Sequence, residues 1–484
     1  MTTISSIRWM RVWLLALGGG AGGVWAGVAG GAGGAGGADG LAKAPAAAVV
    51  ERGVDFRTGE GVSLGGVIFP HGHASAVYGR TEVEAGHELA AGHHDPVEDG
   101  WTVPGFEVGA SVRLGEHVEG FAVYHGYWEN EDPNAYGDSF EEWFGTIKNL
   151  PGGWEVRGGR YRNRFGLHNS QHLHAWDWWD NYLVNGRFLG DDGQTTIGGE
   201  ATWSLPTPWT SVLSVSVGEA QVEAHAGHGH DEDHGGGEGG GEPRVDGAGA
   251  QFDDVLTAVN WTNLWYSNDF HHFRGGFSGA WGDNTWGRTT QVYGAHFQYE
   301  WRRNGLEPGG AYFRWRTEAM VRTFDAVSGP LAGDHDDEHG HEDEHGHEDE
   351  HGHEDEHGHE DEHGHEDEHG HEDEHGHEDE HGHEDEGGWA GSVDDWGIYT
   401  SMTYGHPVGA GVVEASLRFD WVADRGEAGL PGRRRISPGV TWFANAQRTF
   451  YVRAQYNHDR IEGWGDGDSV WVGFGFNWGG VEVR

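Results

Sequence analysis

Phe106, Val108, Ala110, Val112 and Leu114 alternate with Glu107, Gly109, Ser111 and Arg113. The contrast recurs at Tyr293, Ala295, Phe297, Tyr299 and Trp301 against His296, Gln298, Glu300 and Arg302. It recurs again at Val413, Ala415, Leu417, Phe419 and Trp421 against Glu414, Ser416, Arg418 and Asp420. Successive residues of a strand point to opposite faces, so a period of two gives each segment one apolar and one polar face. Runs of about ten such residues suit strands that cross a bilayer at a tilt. A soluble sandwich or propeller would instead turn a whole face of Phe, Trp and Val toward water. The frequencies of glycine (88) and Trp (25) also favour a barrel over a helical protein.

Sixteen such segments can be placed: 62–69, 106–114, 119–128, 140–149, 154–162, 196–204, 210–218, 253–265, 270–281, 291–302, 311–324, 393–404, 411–422, 436–444, 449–458 and 469–478. Short connections rich in Gly, Pro and Asn, such as 150–153, 206–208 and 405–410, alternate with long ones at 70–105, 129–139, 163–195, 219–252, 282–290, 325–392, 423–435 and 459–468. The expectation is an all-β fold: a closed antiparallel transmembrane β-barrel of about 16 strands, with short periplasmic turns and long extracellular loops. Closure is required because hydrocarbon offers no partner to an open strand edge. Trp128, Trp203, Trp265, Trp281, Trp421 and Trp478 fall near strand ends, where aromatic girdles sit.

Arg8 and Arg11 precede the apolar run Val12–Leu17 and a Gly/Ala-rich stretch, the pattern of an export signal. The domain reading is therefore a signal peptide and leader over 1–44 and a single barrel over 45–484, with low-complexity loops at 219–252 and 325–392. No segment reaches the roughly 18 consecutive apolar residues of a membrane helix. The expected location is the cell outer membrane. The formal net charge is −50, with 80 acidic and 30 basic residues, which excludes nucleic acid as a partner. Outer-membrane lipid, divalent metal ions and small solutes are the expected partners, and assembly as a homotrimer is left open. There is no cysteine, so any metal must be held by His, Asp, Glu or water. No Ser–His–Asp order supports catalysis, and the chain is not read as an enzyme.

The histidines concentrate in the long connections. HGHEDE repeats eight times in register from His339 to Glu386, with two imidazoles and three carboxylates in each repeat. His339, His341, His345, His347, His351 and His353 open this array and are candidate ligands for Zn2+ or another divalent transition metal. The alternative is a solvated acidic spacer. His228 and His230 offer a poorer version between the seventh and eighth segments. In the third long connection His172 and His174, with Asp177, could bind a divalent ion where an aromatic-rich loop folds inward and narrows the pore. Along the lumen the register points Arg274, Arg302, Arg314, Arg316, Arg418 and Arg453 inward, either to favour anions or to brace the wall against inward carboxylates.

The stretch 141–193 contains Leu150–Gly153, Gly159-Arg160, Phe165-Gly166 and Gln171–Asp177. It resembles the porin-like outer-membrane proteins often labelled zinc-regulated TonB-dependent receptors and is more distantly similar to phosphate-selective porins. The resemblance implies a barrel that handles zinc, or an anion-selective channel. A plugged receptor of about 22 strands would need more segments than this chain supplies. The expected function is thus a porin-like channel whose His/Asp/Glu-rich outer loops concentrate divalent metal near the pore. An anion-selective porin and a surface metal buffer without transport are the alternatives.

Overall fold

The computed structural model describes residues 64–83, 91–92, 94–96, 99–128, 136–191, 193–221, 247–307, 309–327 and 390–479. The signal peptide expected over 1–44 lies outside them, as do the HGHEDE array, His228 and His230.

Sixteen strands form one closed sheet. They are β1 (Ile68–Thr81), β2 (Gly100–Leu114), β3 (Val118–Trp128), β4 (Tyr136–Leu150), β5 (Trp154–Arg162), β6 (Thr195–Ser204), β7 (Thr210–Gln221) and β8 (Val255–Asn268). The second half comprises β9 (His271–Asp283), β10 (Thr289–Arg302), β11 (Tyr312–Val327), β12 (Ala390–Val408), β13 (Gly411–Val422), β14 (Arg433–Phe443), β15 (Phe450–Ile461) and β16 (Gly465–Gly479). Each strand pairs antiparallel with its neighbour in sequence, and β1 closes the ring against β16 from His71–Gly479 to Thr81–Ser469. Closure leaves no strand edge to be satisfied by lipid.

Period two explains the two surfaces. In β16 Val470, Val472, Phe474, Phe476 and Trp478 point out and are exposed, while Trp471 between them is buried. Phe277, Leu417 and Val440 are likewise more than half exposed. Inside lie Glu107, Glu300, Arg418, Asp420 and Arg453, all buried. Apolar outside and charged inside is the inverse of a soluble protein and places the barrel in a bilayer.

The sequence segments match these strands, with three differences. The first strand is 68–81, not 62–69. Its outward residues Ala74 and Ala76 are small, so its alternation is faint, and its inward face carries His71 and His73. These two histidines thus belong to the barrel wall and not to an outer loop. The connection expected at 459–468 shrinks to 462–464, because β15 and β16 stay paired as far as Ile461–Gly465. The connection between β9 and β10 is also short, at 284–288.

Candidate functional site

The connection between β5 and β6, residues 163–194, is here called L3. It contains a short 3-10 turn, Leu173–Ala175, and one helix, α1 (Leu183–Leu189), every residue of which except Arg187 is buried. Phe165, Trp178, Tyr182, Leu183, Val184 and Phe188 form one buried apolar cluster with Leu256, Val292, Met320 and Tyr399 of the wall. An aromatic loop in water would forfeit this burial, so L3 folds into the lumen. Wall glycines receive its rings. A methyl group at Gly294 would come within 2.8 Å of Phe165, at Gly439 within 2.9 Å of Trp178, and at Gly473 within 2.8 Å of Trp179.

L3 meets a wall of different charge on each side. Asp177 accepts from Arg314 Nη2 at 2.6 Å and from Arg316 Nη1 at 3.2 Å. Asp180 accepts from Arg435 Nη1 at 2.6 Å, Gln455 Nε2 at 2.6 Å, Asn457 Nδ2 at 2.8 Å and lies 2.9 Å from Arg418 Nη2. Arg453 donates to the carbonyls of Trp178 and Trp176 at 2.7 and 2.8 Å. Burial raises the pKa of the Asp180 carboxyl, but Arg418 and Arg435 outweigh it and hold the group below its ordinary value. Asp95, from the β1–β2 connection, accepts from the Asn181 amide at 2.7 Å and the Ala91 amide at 3.0 Å. Burial, followed by the charge of Asp180, pushes Asp95 up to about 7.

The β1–β4 side is acidic and rich in histidine. His172 is fully buried, and its Nε2 donates to Glu142 Oε2 at 2.6 Å. Its Nδ1 lies 2.9 Å from Glu141 Oε2 and 3.8 Å from Glu107 Oε1. His174 Nδ1 is 2.5 Å from Glu107 Oε2. The His73 ring lies 6.1 Å from that of His174, and His94 meets His125 edge-on at 4.4 Å. The β3–β4 register shifts between Val123, opposite Glu142, and Tyr124, opposite Phe140. This bulge supplies an extra residue, Glu141, and lets two successive carboxylates serve the lumen. Strict alternation would send one of them out.

The sequence-based candidates are therefore divided. His172 and His174 come together, but with Glu107, Glu141 and Glu142 as neighbours. Asp177 is engaged by Arg314 and Arg316 on the basic side and does not join them. Arg302 donates to Glu300 at 2.7 Å, Arg418 lies 2.9 Å from Asp420, and Arg274 sits on β9 opposite Gln298. Inward Ser214 bonds Thr202 at 3.0 Å and Ser216 donates to Asn163 at 2.9 Å. Sequence reasoning assigned no role to Glu141, Glu142, His125, Asp180 or Arg435. The doublet Glu141-Glu142, which breaks the alternation of its strand, was the one available signal.

No protein-family model matches the chain. An uncharacterized protein of Aquifex aeolicus (strain VF5) is 36% identical over 81 residues, which is 17% of this chain and 17% of that protein. Among solved structures the chain is similar to OprB of Pseudomonas putida, with a TM-score of 0.47 and 11% identity over 85% of this chain and 94% of that one. It is similar to the anion-selective porin from Comamonas acidovorans, with a TM-score of 0.45 and 11% identity over 85% and 99% of the two chains. It is also similar to OmpT of Vibrio cholerae in a trimer form, with a TM-score of 0.42 and 8% identity over 85% and 99%. None of these findings supports the label of TonB-dependent receptor that the sequence resemblance carries. Sixteen paired strands with an apolar exterior and a charged interior make the chain a closed antiparallel β-barrel of the outer membrane.

Proposed function

We propose that the barrel is a porin-like channel for small hydrophilic solutes that handles divalent transition metal, with zinc as the first candidate. Histidine- and carboxylate-rich segments at its long-connection end collect the ion, and L3 narrows the lumen behind them. The observation that carries this reading is topological. β7 ends and β8 begins, and β11 ends and β12 begins, at the barrel end from which L3 folds inward, and L3 brings His172 and His174 to wall carboxylates. Imidazole and carboxylate without thiolate suit zinc, cobalt and nickel. The anion-selective alternative has weaker support. Arg302, Arg314 and Arg316 donate to carboxylates and Arg418 is ion-paired with Asp180 and Asp420, whereas Arg453 is held by the Trp176 and Trp178 carbonyls, so most of this inward charge is matched.

The test is the full chain reconstituted in proteoliposomes enclosing a zinc-responsive dye, with a potassium chloride gradient measured on planar bilayers. Zinc entry together with a cation-selective reversal potential is expected. Zinc bound without entry would reduce the protein to a surface buffer. An anion-selective potential without zinc binding would overturn the reading.

A further inference from the structure

We propose that Glu107, Glu141 and His172 form a transition-metal site inside the lumen, separate from the outer histidine segments. The proposal rests on the reading that the barrel handles divalent metal, but it concerns different residues and is tested apart from them.

One ligand atom from each of the three lies within 4.8 Å of the other two. Tetrahedral zinc with bonds of about 2.0–2.1 Å sets its ligands roughly 3.4 Å apart, so side-chain shifts of about an ångström close the site. The three atoms arrive from separate elements. Glu107 comes from β2, Glu141 from the bulge in β4, and His172 from L3. Glu107 is 1% exposed, and its Oε1, which faces His172, accepts no hydrogen bond. A buried carboxylate oxygen left in that state costs free energy unless a cation completes it.

The surroundings aim the ligands. A metal-bound histidine usually donates its second ring nitrogen to a carboxylate, which fixes the tautomer. His172 does this with Glu142 through Nε2, and so presents Nδ1 to Glu107 and Glu141. His174 holds the other oxygen of Glu107, and Arg162 holds the other oxygen of Glu141. Two carboxylates neutralise a divalent ion. The imidazole then favours zinc, cobalt or nickel over calcium, which prefers an all-oxygen shell. Beside Glu141 a cavity of about 40 Å³, lined also by His94 and His125, leaves room for water on an open coordination position.

The experiment uses the refolded full-length chain with every histidine in 225–234 and 335–383 replaced by glutamine, titrated with cobalt(II). One equivalent should bind with the visible d–d bands of a low-coordinate nitrogen–oxygen site. His172→Gln, Glu107→Gln and Glu141→Gln should each weaken that binding at least tenfold and bleach the bands. Glu142→Gln should weaken it less and shift them. Heat-modifiable migration on gels reports whether each barrel is folded. If the chain lacking the outer histidines binds no cobalt, or shows only the spectrum of the hydrated ion, the lumenal site is overturned without recourse to any further variant. Bands unchanged by His172→Gln overturn it equally. If removing the outer histidines does not lower total stoichiometry, it is the outer collection that fails, and the lumenal site stands.

Discussion

At the scale of single residues, Asp180 anchors L3. Its carboxylate is reached by Arg418, Arg435, Gln455 and Asn457 and is almost wholly buried. Asp180→Ala takes one carboxylate from two buried guanidinium groups, leaving Asp420 beside Arg418 and Asp459 beside Arg435. It should cost the docked loop about 3 kcal/mol, the lower end of the penalty for breaking a buried ion pair from one side, because each guanidinium keeps a second carboxylate. Hydrogen exchange of the amides of 176–190 would measure it, and exchange as slow as in the parent would refute it. The pH dependence follows from two opposed shifts. Asp180 is held below its ordinary value, so its contribution is complete above pH ~4 and is lost as pH falls through the folded value. Asp95 is raised to about 7, so the folded state favours its protonated form. The junction of Asp95 with Asn181 should therefore weaken as pH rises from about 4 to 7 and stay weak above. L3 should be best protected from proteolysis near pH 4–5, lose protection up to about pH 7, and show no further loss at pH 8.5. None of this was legible beforehand, because the donors to Asp180 lie 238 to 277 positions away in sequence.

At the scale of elements, the strands were legible and their irregularities were not. Hydrocarbon imposes alternation on any strand that faces it, and so β2, β10 and β13 announce themselves. β1 does so faintly, since alanine stands where larger apolar residues would mark the outer face. The β4 bulge hides Glu141 for the same reason, because a period count has no place for an extra residue. L3 could be recognised as an inward loop from its aromatic content, but its glycine sockets at 294, 439 and 473 could not. Deleting 168–180 should remove the aromatic and ionic contacts that hold L3 across the lumen. Single-channel conductance should then rise, and an unchanged conductance would mean that ions do not pass beside L3. Gly439→Val should reproduce part of the rise, since even its Cβ would collide with the Trp178 ring.

At the scale of the whole molecule, the strand count fixes sidedness. β1 begins and β16 ends beside the short turns, and β11 ends at Val327 and β12 begins at Ala390 on the opposite rim. An epitope inserted near Gly333 should be labelled on intact cells. Labelling that requires a permeabilised outer membrane would reverse the orientation. The pairing of β11 with β12 has one more consequence. Their ladder continues unbroken to Val327 and Ala390, so the two ends of the intervening segment are held as adjacent neighbours whatever its length. Lengthening a closed loop is cheap, at about 0.6 kcal/mol for each doubling. Gain or loss of a six-residue unit therefore leaves the wall untouched. Under the metal-collecting role proposed above, copy number would set how much ion one cell surface can hold without any redesign of the barrel wall.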